Sequence, residues 1–94
     1  MLSQLPLNFA KQDQNGIDRQ ILRLGIIAEL DAVSLYEQLA GMTNDPDLKA
    51  ILIDIAKEEK THVGEFQALL LKKDSQQQEE LARGQKEVNE IISD

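Results

Sequence analysis

Gly41-Met42-Thr43-Asn44-Asp45-Pro46 is the stretch on which the fold of this chain turns. A long run with apolar residues every three or four positions lies on either side of it, and these six residues break that rhythm. Gly, Thr and Asn suit a connection. Asp45-Pro46 then opens a helix, because Asp45 can accept first-turn amides and Pro46 sits where its missing N–H costs nothing. The helix is expected to extend to Lys72-Lys73, two cations well placed at a helix C-terminus. Working backwards, an earlier helix is expected from Asn15-Gly16-Ile17-Asp18 to about Ala40, with Asn15 as its cap and Asp18 in its first turn. Two helices of roughly 26 residues, rising 1.5 Å per residue, are about 40 Å long, and a short connection makes them antiparallel.

Beyond the hairpin, Ser75-Gln76-Gln77-Gln78 has capping-box spacing and precedes Leu81, Val88, Ile91 and Ile92, so a third, shorter helix is expected. Gly84 and the glutamine-rich start weaken that helix. Residues 1–14 mix Pro6, Asn8 and Lys11 with three glutamines and carry no sustained period, which reads as a loosely ordered lead-in. The expected organisation is all-α: a lead-in over 1–14, an antiparallel two-helix hairpin over 15–73, and a C-terminal helix or tail over 74–94.

A chain of 94 residues forms at most one domain, near the lower size at which a single core suffices. Long, few helices must therefore find part of their core in another chain. The sequence has no cysteine, which excludes disulfides, thiolate metal sites and cysteine nucleophiles. Its first residues have neither the basic start nor the apolar length of a signal peptide, and no later stretch approaches a membrane span, so a soluble cytoplasmic protein is expected. Seventeen acidic against ten basic residues give a net charge of -7, which argues against nucleic acid and anionic membranes and favours cations.

The apolar stripes carry the functional signal. On the first helix the spacing selects Leu22, Ile26, Glu29, Val33, Tyr36 and Ala40; on the second it selects Leu48, Leu52, Ile55, Glu59, His62, Phe66 and Leu69. Each stripe is apolar at its ends and ionisable near its middle. A lone buried carboxylate costs several kcal/mol, so two such interruptions at matching depth call for a shared cause.

Glu59-Lys60-Thr61-His62 places a carboxylate and an imidazole one helical turn apart, within reach of one ion. Di-iron carboxylate bundles take a Glu from each of two helices and a Glu-x-x-His pair from each of the other two. This chain carries half of that set. A twofold dimer forming a ferritin-like four-helix bundle doubles it to four glutamates and two histidines, enough for two iron ions per dimer. The four carboxylate charges balance two Fe(II), so the filled site is neutral, whereas the empty dimer takes up protons or associates less tightly. Oxygen donors with one imidazole per metal favour iron or manganese and stabilise Fe(III) over Fe(II). Two ions roughly 3.5–4 Å apart can each give one electron to the same oxygen molecule. In this reading Glu59 bridges, Glu29 completes each iron, and His62 supplies its nitrogen.

Glu-x-x-His alone is common by chance on solvated helix faces. Its position in an apolar stripe, the matching Glu29 and the absence of any other histidine are what single it out. Tyr36, two turns after Glu29, would donate a hydrogen bond to a ligand or, more ordinarily, belong to the core. Gly25, one turn before Glu29, costs about 1 kcal/mol relative to alanine in a helix interior, which a close helix approach would justify and unremarkable drift would explain equally. Asp31, Glu58 and Glu65 flank the stripes, where they read first as an ordinary exposed charged face and only secondarily as guides for cations toward the site, and Met42 packs near the turn. Two other classes stand beside the ferroxidase: a helical-hairpin oligomerisation module whose glutamates fix register without metal, and a di-iron peroxidase of rubrerythrin type, for which this chain lacks the cysteines of the usual electron-relay domain.

The segment Ala28-Glu29-Leu30-Asp31-Ala32-Val33-Ser34-Leu35-Tyr36-Glu37-Gln38, the turn Thr43-Asn44-Asp45-Pro46-Asp47-Leu48, and Ala50-Ile51-Leu52 leading to Lys57-Glu58-Glu59-Lys60-Thr61-His62 resemble the encapsulated ferritin-like proteins. The likeness covers roughly residues 20 to 75 and is strongest to archaeal versions fused ahead of an encapsulin shell domain. It implies a two-helix subunit, a ferroxidase site completed only in a homodimer, a ring of five dimers, and an encapsulin nanocompartment as the partner that stores the oxidised iron. It also implies that Glu29, Glu59 and His62 are the iron ligands and Tyr36 the tyrosine beside the site. Relatives with an acidic uptake route carry acids around the first-helix ligand; here one such position is Ala28, leaving Asp31 as the candidate. The C-terminal Asn89-Glu90-Ile91-Ile92-Ser93-Asp94 does not match a shell-targeting peptide, so targeting is expected from a segment beyond it, as in a fusion, or from a different signal.

Overall fold

The computed structural model describes residues 13–93 and forms three helices: α1 (Gln14–Met42), α2 (Pro46–Lys73) and α3 (Ser75–Ile92). No strand occurs among the described residues. The reading of 1–14 as a lead-in falls mostly on residues 1–12, outside the described part, while Gln14 is already helical.

The connection at 43–45 behaves as its residues dictate. The Asp45 carboxylate accepts from the amides of Asp47 (2.9 Å) and Leu48 (3.4 Å), Pro46 takes the first helical position, and Lys72 and Lys73 occupy the last turn. At the other two helix starts the cap is an aspartate one or two residues earlier than expected. Asp13, not Asn15, caps α1, accepting from Gly16 N at 2.7 Å. Asp18 consequently lies beyond the first turn, where it pairs with Lys73 Nζ at 3.4 Å. Asp74, not Ser75, caps α3, accepting from Gln77 N at 3.0 Å. Aspartate brings a full charge to the amide cluster and the helix dipole, which a serine hydroxyl does not.

Asp74 also accepts from Arg23 Nη2 at 2.9 Å, so one carboxylate joins α1, the end of α2 and the start of α3. Asn15 Nδ2 and Arg19 Nη1 each reach Lys73 O at 3.4 Å, satisfying a carbonyl left open at the α2 terminus. The Gln77 amide, and after it the Arg23 guanidinium, hold the Asp74 carboxyl below its ordinary value of 3.8. A depressed carboxyl contributes stability that is complete above that value and lost as pH falls through the folded pKa. The expected result is a thermal stability that drops more steeply below about pH 4 in the wild type than in Asp74→Asn, measured by circular dichroism melts across pH.

Only Leu22, Val33, Ala40, Ala56 and Leu70 are buried among the described residues, and none is polar. On α1 this matches the expected inward stripe. On α2 the inward line instead passes through Leu52, Ala56, Glu59, Val63, Phe66 and Leu70, while Leu48 and Leu69, both expected to point inward, remain 48% and 50% exposed. The α2 stripe read from the sequence is therefore two lines, one facing α1 and one turned sideways through Leu48, Ile51, Ile55, His62 and Leu69.

The sideways line has a counterpart on α1 at Ile21, Ala28, Leu35, Leu39 and Met42, spaced by sevens, fours and threes on one helix face. Ile21, Leu22 and Leu69 border a common shallow depression, which places the two lines on the same side of the hairpin. Met42 is 78% exposed rather than packed at the turn. The opposite side carries the Lys60–Glu37 ion pair at 3.1 Å, and there Glu37 borders a shallow depression with Ile53, itself 53% exposed. α3 leaves on that opposite side, where Gln77 and Leu81 border an elbow cleft with Arg23, Ile26, Ile27, Gln67 and Leu70. Its outer residues Ile91 and Ile92 are 81% and 75% exposed.

Candidate metal centre

Glu29 comes from the middle of α1, and Glu59 and His62 come from the middle of α2, at the level where the antiparallel helices bring residue sums near constant. His62 Nδ1 lies 3.3 Å from Glu29 Oε2 and 3.3 Å from Glu59 Oε2. The second contact is one helical turn within α2; the first crosses between helices. One donor atom from each residue falls within 4.8 Å of the others. An ion with bonds of about 2.0–2.2 Å spans such a set after small side-chain adjustments.

The donors fit iron chemically: two carboxylates and an imidazole are hard and intermediate ligands, with no thiolate to favour softer metals. They also leave the coordination of a six-coordinate ion half empty. The two glutamate side chains are 20% and 19% exposed, and His62 is 43% exposed. The cluster therefore sits at the edge of the hairpin, shielded by it on one side and open on the other. The open side is the apolar face formed by Ile21, Leu35, Leu39, Ile51 and Leu69, each between 37% and 59% exposed. Carboxylates at the floor of an apolar surface are desolvated as soon as a second surface covers it.

The other residues singled out from sequence fall around this cluster. Tyr36 is half-buried on the α1 face that carries Glu29, and among the described residues it makes no hydrogen bond with Glu29, Glu59 or His62. Asp31 is exposed and outside the cluster. Gly25, which the sequence reading connected with a close helix approach, lies directly under the Phe66 ring. Phe66 appeared in the sequence only as a core residue. Its partnership with Gly25 has no one-dimensional signal, since it depends on which α2 residue falls opposite a gap on α1.

The family model described as EncFtn-like matches residues 8–89. The chain is 57% identical over 72 residues to a ferritin-like-encapsulin shell fusion protein of Pyrococcus furiosus, covering 77% of this chain and 21% of that protein. It is 41% identical over 56 residues to the encapsulin nanocompartment cargo protein EncC of Myxococcus xanthus, covering 60% of this chain and 43% of that one. The matched region thus spans about a fifth of the length of the first relative and less than half of the second. The crystal structure of the encapsulated ferritin domain from Pyrococcus furiosus superimposes with a TM-score of 0.85 at 48% identity, covering 100% of this chain and 98% of that one. In sequence and in fold, this chain belongs to the EncFtn-like family of ferritin-like proteins.

Proposed function

We propose that two copies of this chain pair through the apolar face beside His62 and, as a dimer, oxidise Fe(II) to Fe(III). The observation that carries the reading is the convergence of Glu29, Glu59 and His62 within 4.8 Å at the edge of a hairpin that cannot enclose them. A twofold axis over this face doubles the donors to four carboxylates and two imidazoles, the set used by di-iron bundles. It also covers apolar area that a lone chain leaves in water, the usual mark of an association surface.

Fe(II) is the substrate in this reading, and an iron pair would supply the two electrons that, with two protons from water, reduce one oxygen molecule to hydrogen peroxide. The chain's own residues do the rest. Glu59 spans both metal positions, Glu29 and His62 Nδ1 close one position each, and the four carboxylate charges offset the charge of two Fe(II). Pairing of the apolar faces excludes water, which strengthens every charge–charge interaction inside.

The relatives named for encapsulin association extend the proposal. The oxidised iron is delivered inside a cytoplasmic encapsulin nanocompartment, since a ring of five helical dimers has no closed cavity to hold mineral. The same 3.3 Å contacts favour a second reading, in which His62 ties α1 to α2 as a metal-free latch in an oligomerisation module. Anaerobic loading with two Fe(II) per pair of chains, followed by air, separates them. The ferroxidase gives a rapid rise in near-ultraviolet ferric absorbance that saturates at that stoichiometry, and the latch gives only the slow oxidation of free iron.

A further inference from the structure

Beside the triad, α1 presents no side chain at one position. Gly25 lies one turn before Glu29, and the ring of Phe66, one turn after His62, fills the space a side chain would take. A Cβ on Gly25 would stand 3.2 Å from Phe66 Cδ2, 3.2 Å from Cε2 and 3.4 Å from Cγ. At Gly41, Gly64 and Gly84 a Cβ would meet nothing within 4 Å. Glycine is unfavourable in a helix interior, so its place here is explained by the ring it admits.

We propose that Gly25 and Phe66 form a spacer that sets the separation of α1 and α2 at the level of Glu29, Glu59 and His62; the inference rests on the metal reading above. A ligand set divided between two helices is only as well defined as the distance between them. That distance follows the size of the side chains at the contact. Here the contact is a flat, stiff ring lying against bare backbone, with few ways to rearrange. Adding a methyl at Gly25 makes the ring withdraw by a few tenths of an ångström. Metal sites hold their bond lengths within about 0.2 Å, so a displacement of that size reaches the ligands. The cross-helix contact from His62 to Glu29 is the one that stretches, while the contact from His62 to Glu59, internal to α2, does not.

Gly25 and Phe66 are positioning residues, and the test separates position from general stability. Co(II) is titrated anaerobically into the wild type, Gly25→Ala, Phe66→Leu, the Gly25→Ala/Phe66→Leu double variant and Gly64→Ala. Affinity comes from calorimetry, ligand geometry from the visible Co(II) spectrum, and stability from melts of the metal-free proteins. Gly25→Ala is expected to bind Co(II) roughly tenfold more weakly, as loss of a supporting contact does, with an altered spectrum. Its metal-free melting temperature changes by only a few degrees, because the helix preference of alanine offsets the crowding against the ring. The double variant, with a smaller and more adaptable side chain under the new methyl, recovers most of the affinity and the wild-type spectrum. Gly64→Ala, in open space, binds as the wild type does.

Wild-type affinity and spectrum in Gly25→Ala would overturn the spacer. So would a double variant no better than the single one, or a fall in Co(II) affinity matched by a large fall in metal-free stability. Absence of Co(II) binding in the wild type overturns the metal reading underneath and the spacer with it, which tells the two failures apart.

Discussion

A Glu59→Gln chain loses iron oxidation by at least about 100-fold while keeping its helical content, because removal of a supporting contact alone typically costs 10–100-fold at a metal site. The amide has the size of the carboxylate and can still accept from His62 Nδ1, now 3.3 Å from Glu59 Oε2. What it lacks is charge and the ability to span two metal positions. A dimer carries the substitution twice, so both bridging groups are lost together. His62→Ala acts in the same direction through loss of the one nitrogen donor each chain provides. The measurement is initial ferric absorbance after aeration, with circular dichroism as the control for folding. Wild-type rates in Glu59→Gln would mean that the cluster is a latch.

Leu35→Lys is the second large effect, and it touches no ligand. Leu35 is 51% exposed in the single chain and lies on the apolar face proposed for pairing. A lysine there is tolerated by the monomer, which leaves it in water. Pairing would bury an ammonium group from each chain, at a cost of several kcal/mol. Since each 1.4 kcal/mol is tenfold, the dimer dissociation constant rises by roughly 100-fold or more. Oxidation falls in parallel at low protein concentration and recovers as concentration increases. Leu30→Lys is the matched control: it is equally exposed but lies on the opposite side of α1, and it leaves the dissociation constant of the dimer as in the wild type. Sedimentation analysis alongside the oxidation assay reads both quantities.

The hairpin was legible because its signals are local. Asp45-Pro46 marks a helix start, and three-and-four spacing identifies an inward line on α1 that the structure reproduces through Leu22, Val33 and Ala40. The clustering of Glu29, Glu59 and His62 was legible for the same reason: an ionisable residue in an apolar line stands out, and Glu-x-x-His fixes its own geometry on a helix.

The remainder depends on relations between elements. Leu48 and Leu69 read as inward because periodicity gives a direction on a helix without saying which neighbour lies there. Once α1 is in place, its contact line falls on Ala56 and Leu70, and Leu48, Ile51 and Leu69 on the outer line of α2 stay exposed. Small Ala56, 2% exposed, marks the seam where the helices meet, and its size gave no hydrophobic signal in the sequence. At the start of α3, Ser75 has capping-box spacing, but Asp74 takes the role because it is also held by Arg23, 51 residues away. No local rule can see that partner.

In the proposed enzyme the metal site exists between two chains and not within one. Native mass measurement under anaerobic conditions, with and without Fe(II), reads stoichiometry and assembly in a single spectrum. The expected result is that Fe(II) shifts the population toward even-numbered assemblies carrying two irons per pair of chains, with no monomer holding iron. A monomer binding its own iron, or a dimer equally populated and metal-free at saturating Fe(II), would contradict it.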